Sequence, residues 1–248
     1  ETDYLSGACI VFRHADWLHL GGFDERFVPA YYEDTDLAFS MRAEGLKVVY
    51  QPVSEVVHFE GISNGTDLSS GIKKHQMVNQ QKFLQKWQAV LAKEHFTNGQ
   101  NVFAARERSA QKTTVVFVDH YVPFYDKDAG SRSTFLYIRE MCEMGINVKF
   151  MPANYFPHQP YTRTLQQMGV EVLTGEFYAR NWKSWFLENL AQIDVVYLHR
   201  PETAEPYIRF LSEQPDRPKL VFFGHDLHYL RTRREAEINA DTRLLKKA

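Results

Sequence analysis

From residue 114 onward the chain alternates short apolar runs with amphipathic stretches, and that rhythm restricts its fold more than any other feature. Residues 114–118 are β-branched and aromatic without polar alternation, so they read as a strand covered on both faces. A polar loop follows, then a helix over 133–144 that Gly145 ends. Strands at 148–151, 170–173, 195–198 and 220–223 then alternate with helices at 161–168, 182–191 and 204–213. Strands separated by helices imply a parallel sheet with helices on both faces. Right-handed crossovers make that an α/β, Rossmann-like doubly wound domain.

The sequence before it has another texture. Residues 8–12 and 46–50 read as short strands, the second ended by Pro52. A helix over 14–20 is closed by Gly21 and Gly22. A second helix, 33–43, carries Leu37, Ala38 and Met41 on one face and stops at Gly45. A long helix over 74–94 has Met77, Phe83, Leu84, Trp87 and Leu91 as its apolar stripe. Residues 95–112 are polar, include Asn98-Gly99, and read as a linker. The organisation expected is a first domain over 1–108, including the long helix, and a second over 109–248.

Of the 248 residues, 44% are hydrophobic and 24% charged, an ordinary globular composition with enough apolar material for a core. A net charge of −2 gives no basic field for nucleic acid. Cys9 and Cys142 lie in separate apolar stretches, which argues against a disulfide framework and for a reducing compartment. There is no apolar run of the length that spans a bilayer. The chain opens on Glu1 rather than Met, and residues 242–248 stop in helix-like sequence with no C-cap, the pattern expected of an internal fragment.

The sharpest chemical signal is Tyr31-Tyr32-Glu33-Asp34-Thr35-Asp36-Leu37. Three carboxylates fall in one helix's first turn, where the helix dipole favours negative charge by about 0.3–1 kcal/mol. Ionised carboxylates are what a general base or metal ligand requires. Glu33 and Asp36 share a face, whereas Asp34 points elsewhere. By itself the motif is equally readable as a solvated acidic turn. His58-Phe59-Glu60-Gly61-Ile62-Ser63-Asn64-Gly65 is a second signal, with two glycines that let backbone approach a ligand.

In order and spacing, several pieces resemble the C-terminal part of inverting family-two glycosyltransferases of the GT-A fold. They are Ser6-Gly7-Ala8, Arg13, Gly21-Gly22-Phe23-Asp24-Glu25-Arg26-Phe27, Glu33-Asp34-Thr35-Asp36-Leu37, Gly45, Tyr50-Gln51-Pro52 and His58. The resemblance covers about the first 70 residues. It implies that Asp34 is the catalytic base and that Glu33 and Asp36 shape the acceptor site. Gly7 and Gly22 match backbone lining the acceptor pocket, Arg13 a place near the leaving group, and His58 a ligand of a divalent metal. That metal would be Mg²⁺ or Mn²⁺. Its main carboxylates, an Asp-x-Asp motif, are expected upstream of Glu1, so the isolated fragment is expected to transfer little.

In the second half, the strand ends present Asp119 and His120, then His199, Arg200 and Glu202, then Gly224, His225, Asp226, His228 and Arg231. Ligands of open parallel sheets bind at this edge. Ala129-Gly130-Ser131 before a helix can seat a phosphate, although no dinucleotide or P-loop fingerprint is present. The strand over 115–118, Asp128-Ala129-Gly130-Ser131-Arg132, Gly145-Ile146-Asn147-Val148 and the segment 226–235 resemble the N-terminal half of a family-four, "group 1" GT-B glycosyltransferase. That likeness implies an acceptor-holding role, with His120, Gly130, Arg132 and Asp226 as crevice residues.

Together these resemblances imply two sugar-transfer units in series, building a bacterial surface polysaccharide. The partners implied are a nucleotide-sugar donor and a glycan or lipid-linked glycan acceptor, with no nucleic acid. Work would take place in the cytoplasm, with peripheral association at the inner membrane face. Two other readings stand beside this one. They are a non-catalytic α/β ligand-binding module and a metal-dependent hydrolase using His225, Asp226 and His228.

Overall fold

The chain was described from a computed structural model covering residues 1–51, 54–59, 71–101, 105, 108–224 and 228–239, with backbone alone at 228 and 231. It divides into two compact units, Glu1–Gln111 and Lys112–Ala248.

The first unit is built around three helices, α1 (His14–Leu20), α2 (Glu33–Ala43) and α3 (Lys74–Glu94). Gly21, at φ 78°, caps α1, its amide donating to Leu18 O at 3.2 Å. The core gathers Phe27, Phe39 and Phe83, with Tyr32, Trp87, Val90 and Leu91 packed around them. Phe39 meets Phe83 edge-on at 5.0 Å, and Trp87 lies 5.4 Å from Phe39. Burying a ring of this size contributes about 1.5–3 kcal/mol.

The α2 face holds as read, with Leu37, Ala38 and Met41 buried together with Phe39. The α3 stripe is shifted. Asn79 and Phe83 are its buried residues, and Met77 and Leu84, assigned to the stripe from sequence, are 58% and 43% exposed. A four-residue step from Asn79 through Phe83 to Trp87 leaves both off the inward face. The expected strands at 8–12 and 46–50 do not form. Residues 8 and 9 lie in a turn and a bend, the others join no ladder, Val11 is almost fully exposed, and one backbone bond, Thr2 N–H to Val48 O at 3.0 Å, joins the second run to the N-terminal segment. A strand is stable only when its backbone groups pair, and neither run has a partner strand among the described residues.

The second unit contains one parallel sheet in the order β3-β2-β1-β4-β5. Its strands are β1 (Thr114–Asp119), β2 (Asn147–Pro152), β3 (Glu171–Val172), β4 (Val195–His199) and β5 (Lys219–Phe223). Val115 pairs with Val148 on one side and Val195 on the other. Every residue of β1 and β2 is buried, as a strand sandwiched between helices must be. The flanking helices are α4 (Ala129–Glu143), α5 (Tyr161–Gln167), α6 (Glu176–Asn189), α7 (Pro201–Ser212) and α8 (His228–Asn239). Val115, Phe117, Ile138, Phe150 and Leu165 centre the core.

Three helices begin earlier than the sequence suggests, among them α7, which starts at Pro201 rather than 204. Helix α4 starts at Ala129 because the Asp128 carboxylate accepts from Ser131 N at 2.8 Å and caps its first turn. Helix α6 starts at Glu176 and bends at Asn181 (φ −123°, ψ 17°), and sequence periodicity reported only the part after the bend. The strand order reverses at β1: β2 lies on one side and β4 on the other. The loops leaving β1 and β4 therefore diverge at the carboxyl end of the sheet, the edge where open parallel sheets bind ligands.

Candidate functional site

In the first unit, the approach to α2 is unusually constrained. Tyr31 and Tyr32 both have φ near 75°, a left-handed conformation that non-glycine residues adopt only at a cost of about 1–3 kcal/mol. Asn79 holds them there. Its fully buried Nδ2 atom reaches Phe27 O at 2.6 Å, Ala30 O at 2.8 Å and Tyr31 O at 3.1 Å. The chain is thus delivered to Glu33 and Asp34 in a fixed direction. Asn79 escaped the sequence reading; the signal it offered was a polar residue on the inward stripe of a helix.

The Asp34 carboxylate is gripped from two sides. Oδ2 accepts from Gly7 N at 2.7 Å, and Oδ1 accepts from Thr35 N at 2.7 Å and Thr35 Oγ1 at 3.3 Å. A Cβ on Gly7 would lie 3.3 Å from Oδ2 and 3.4 Å from Asp34 Cβ, so Gly7 provides the close approach. Two motifs separated by 27 positions in the chain thereby form one feature.

The neighbouring acids differ. Glu33 is half-buried with Oε2 unpaired, and burial, together with the charge of Asp34, pushes its pKa up. The helix terminus therefore does not suffice to favour its charged form. Asp36 is buried, with Lys86 Nζ at 2.7 Å and Trp87 Nε1 at 2.7 Å from Oδ1 and Lys86 Nζ at 2.8 Å from Oδ2. Both its oxygens are used in fastening α3 to α2. The same Lys86 reaches Asp24 at 2.8 Å. Burial works to raise the Asp24 pKa, but the Lys86 and Arg26 amide hydrogen bonds prevail and hold it below the usual range.

Arg13 is exposed and forms a two-pronged pair with Asp16 at 2.7 and 3.2 Å. Gly22, at φ 84°, meets a local need: a Cβ there would lie 3.0 Å from the Trp17 ring. His58 is exposed, and residues 60–70 after it lie outside the described residues.

The second unit places its charged cluster at the switch point. Asp119 ends β1 with its side chain buried. Its Oδ1 accepts from His120 N at 2.7 Å and Arg200 Nε at 2.9 Å, and His120 Nδ1 lies 2.8 Å away. Thr134 Oγ1 donates to Oδ2 at 3.2 Å, and the buried His199 Nδ1 is 3.9 Å from it. Burial works to raise the Asp119 pKa; the His120 hydrogen bond, His199 and Arg200 outweigh it and hold the carboxyl at about 2. Arg200, the N-cap of α7, has φ 61°, a further strained position at this edge of the sheet.

His120 is half-buried and oriented by Asp119. Gly130 sits in the first turn of α4, its carbonyl 3.2 Å from Thr134 Oγ1. Arg132 is exposed. Asp226 and His225 lie outside the described residues, as does the His228 side chain. The phosphate seat at Ala129-Gly130-Ser131 is taken by the chain itself, because the Asp128 carboxylate occupies the helix N-terminus. Among the described residues, no group of three or more His, Cys, Asp or Glu side chains is arranged to hold a metal.

Over 72 residues, 29% of this chain, the sequence is 39% identical to the N-acetylglucosaminyl-diphospho-decaprenol L-rhamnosyltransferase of Mycobacterium tuberculosis, of which the match covers 23%. A second strain carries a protein of that name with the same match. Over 63 residues, 25% of the chain, it is 35% identical to the O-antigen biosynthesis protein RfbC of Myxococcus xanthus, covering 5% of that protein. The chain thus spans about a quarter or less of the curated relatives it matches. No family model and no solved structure matches it. Among the described residues, no helix is long and apolar enough to cross a membrane.

Proposed function

We infer that this chain carries two parts of glycosyltransferase machinery acting on a bacterial glycan. The first unit is read as the C-terminal part of an inverting GT-A domain and the second as the acceptor-holding half of a GT-B domain. The observation that carries this reading is the Gly7–Asp34 hydrogen bond at 2.7 Å. It unites the two motifs on which the family resemblance rests, and the rhamnosyltransferase similarity supports the same chemistry.

In this reading a nucleotide sugar is the donor and a lipid-linked glycan the acceptor. Asp34, its orientation fixed by Gly7 and Thr35, takes the proton from the acceptor hydroxyl. That oxygen forms the new bond to the anomeric carbon as the nucleoside diphosphate departs with the electrons of the old one. Glu33, whose carboxyl is pushed toward its protonated form, hydrogen-bonds to sugar hydroxyls beside Asp34. His58 alone among the described residues does not amount to a Mg²⁺ or Mn²⁺ site, and no step is assigned to a metal. A location at the cytoplasmic membrane face follows from a lipid-linked acceptor.

A single displacement inverts the anomeric centre. Proton NMR of the product formed from a labelled nucleotide sugar tests this. Inversion is expected, and retention would exclude Asp34 as the base of a direct displacement.

A further inference from the structure

We propose that the rim of the second unit beside β1 and β2 is a stacking subsite for a pyranose ring of a neutral glycan, formed by Tyr121, Phe124, Phe156 and His158 and flanked by His120 and Arg200. This rests on the sugar-transfer reading above and adds a site to it.

The loops after β1 and β2 leave adjacent parallel strands at the same edge of the sheet. Backbone hydrogen bonds tie them together, from Ala153 N to Asp119 O at 2.8 Å and from Asn154 N to His120 O at 3.2 Å. Their rings then form one continuous run. Tyr121 stacks on Phe124 at 4.7 Å, His158 meets Phe124 edge-on at 5.0 Å, and Phe156 meets His158 at 4.7 Å.

A loop that merely closed its own small core would turn Phe156 inward, yet that ring is 57% exposed. Its backbone is fixed in that posture. Phe156 N donates to Asn154 Oδ1 at 3.1 Å. Tyr155, at φ 52°, is anchored by Gly175 N to its carbonyl at 2.8 Å and by its hydroxyl 2.8 Å from Tyr207 OH. An apolar ring on a backbone already fixed pays less ordering entropy when a ligand covers it.

Fixed polar groups adjoin the rings. One buried carboxylate, Asp119, orients both the His120 ring and the Arg200 guanidinium, and both side chains keep about a quarter to a third of their surface exposed. A ring face to meet C–H groups, beside preset donors and acceptors for hydroxyls, is the pair of features a pyranose requires. A nucleoside diphosphate fits less well. Asp128 fills the N-terminus of α4, and Asp119 adds a second negative charge.

The test is saturation-transfer NMR on the full chain with methyl α-L-rhamnopyranoside, methyl N-acetyl-β-D-glucosaminide and, separately, uridine diphosphate. At least one glycoside should receive saturation on its ring C–H groups. Phe156→Ala should weaken that binding about fivefold, and Phe156→Trp should preserve it. An unchanged circular dichroism spectrum shows that each variant is folded. Glycoside binding indifferent to Phe156→Ala overturns the subsite and leaves sugar transfer standing. Silence of both glycosides, or dependence of uridine diphosphate binding on Phe156 in their place, also overturns it. Phe156-dependent glycoside binding upholds the subsite whether or not this chain transfers sugar.

Discussion

The amide of Gly7 lies 2.7 Å from the Asp34 carboxylate, close enough that a side chain at position 7 would press on the oxygen it serves. Gly7 is exposed, so substitution there removes no core packing. Gly7→Val is therefore expected to act on Asp34 rather than on the fold. Transfer should fall at least tenfold through kcat, with a change of less than about 1 kcal/mol in stability. Steady-state kinetics beside thermal denaturation checks this, and a drop in melting temperature matching the drop in rate would point to misfolding instead.

Lys86 neutralises two acids, Asp24 and the buried Asp36. Lys86→Met leaves the Asp36 charge with Trp87 Nε1 as its remaining donor. Removing one partner of a buried pair costs about 3–5 kcal/mol, and the partial exposure of Lys86 places this case near or below the lower end. Asp36→Asn should cost less, since an amide oxygen still accepts from Trp87. Amide hydrogen exchange across α3 reads the difference, with faster exchange expected in Lys86→Met.

Asp119 gives the second unit an acid-sensitive element. Its folded carboxyl titrates at about 2, against an ordinary value of 3.8. The stabilisation is therefore complete above about pH 4 and is lost as the pH falls toward 2. It amounts to about 2 kcal/mol. Exchange protection in β1 and β4 should decline over that window and should decline less in Asp119→Asn, which is less protected at neutral pH.

Much of the fold is visible in the chain because its signals are local. The α2 helix runs from its acidic first turn to Gly45, and the second unit's strands are apolar runs bounded by glycine or polar residues. The runs at 8–12 and 46–50 misled because β-forming composition says nothing about whether a partner strand is present. The site was legible in parts. Gly7, Asp34 and His120 carry local motif signals, whereas the joint work of Asp36, Lys86 and Trp87 depends on contacts about 50 residues apart in sequence. The Asp119–Arg200 pair spans 81 positions and arises from the sheet order. Phe156 resembled any loop aromatic until Tyr155 and Asn154 were seen to hold it outward.

The role of Asp34 is tested most directly by Asp34→Asn in the complete protein, assayed for transfer of a labelled sugar to a lipid-linked acceptor. Asparagine still offers Gly7 and Thr35 an oxygen to bond, so the fold and the melting temperature should persist while the proton acceptor is gone. Turnover should fall about 10²–10⁴-fold with donor binding retained. Turnover equal to that of the unaltered protein, in a folded variant, would contradict the assignment of Asp34 as the base.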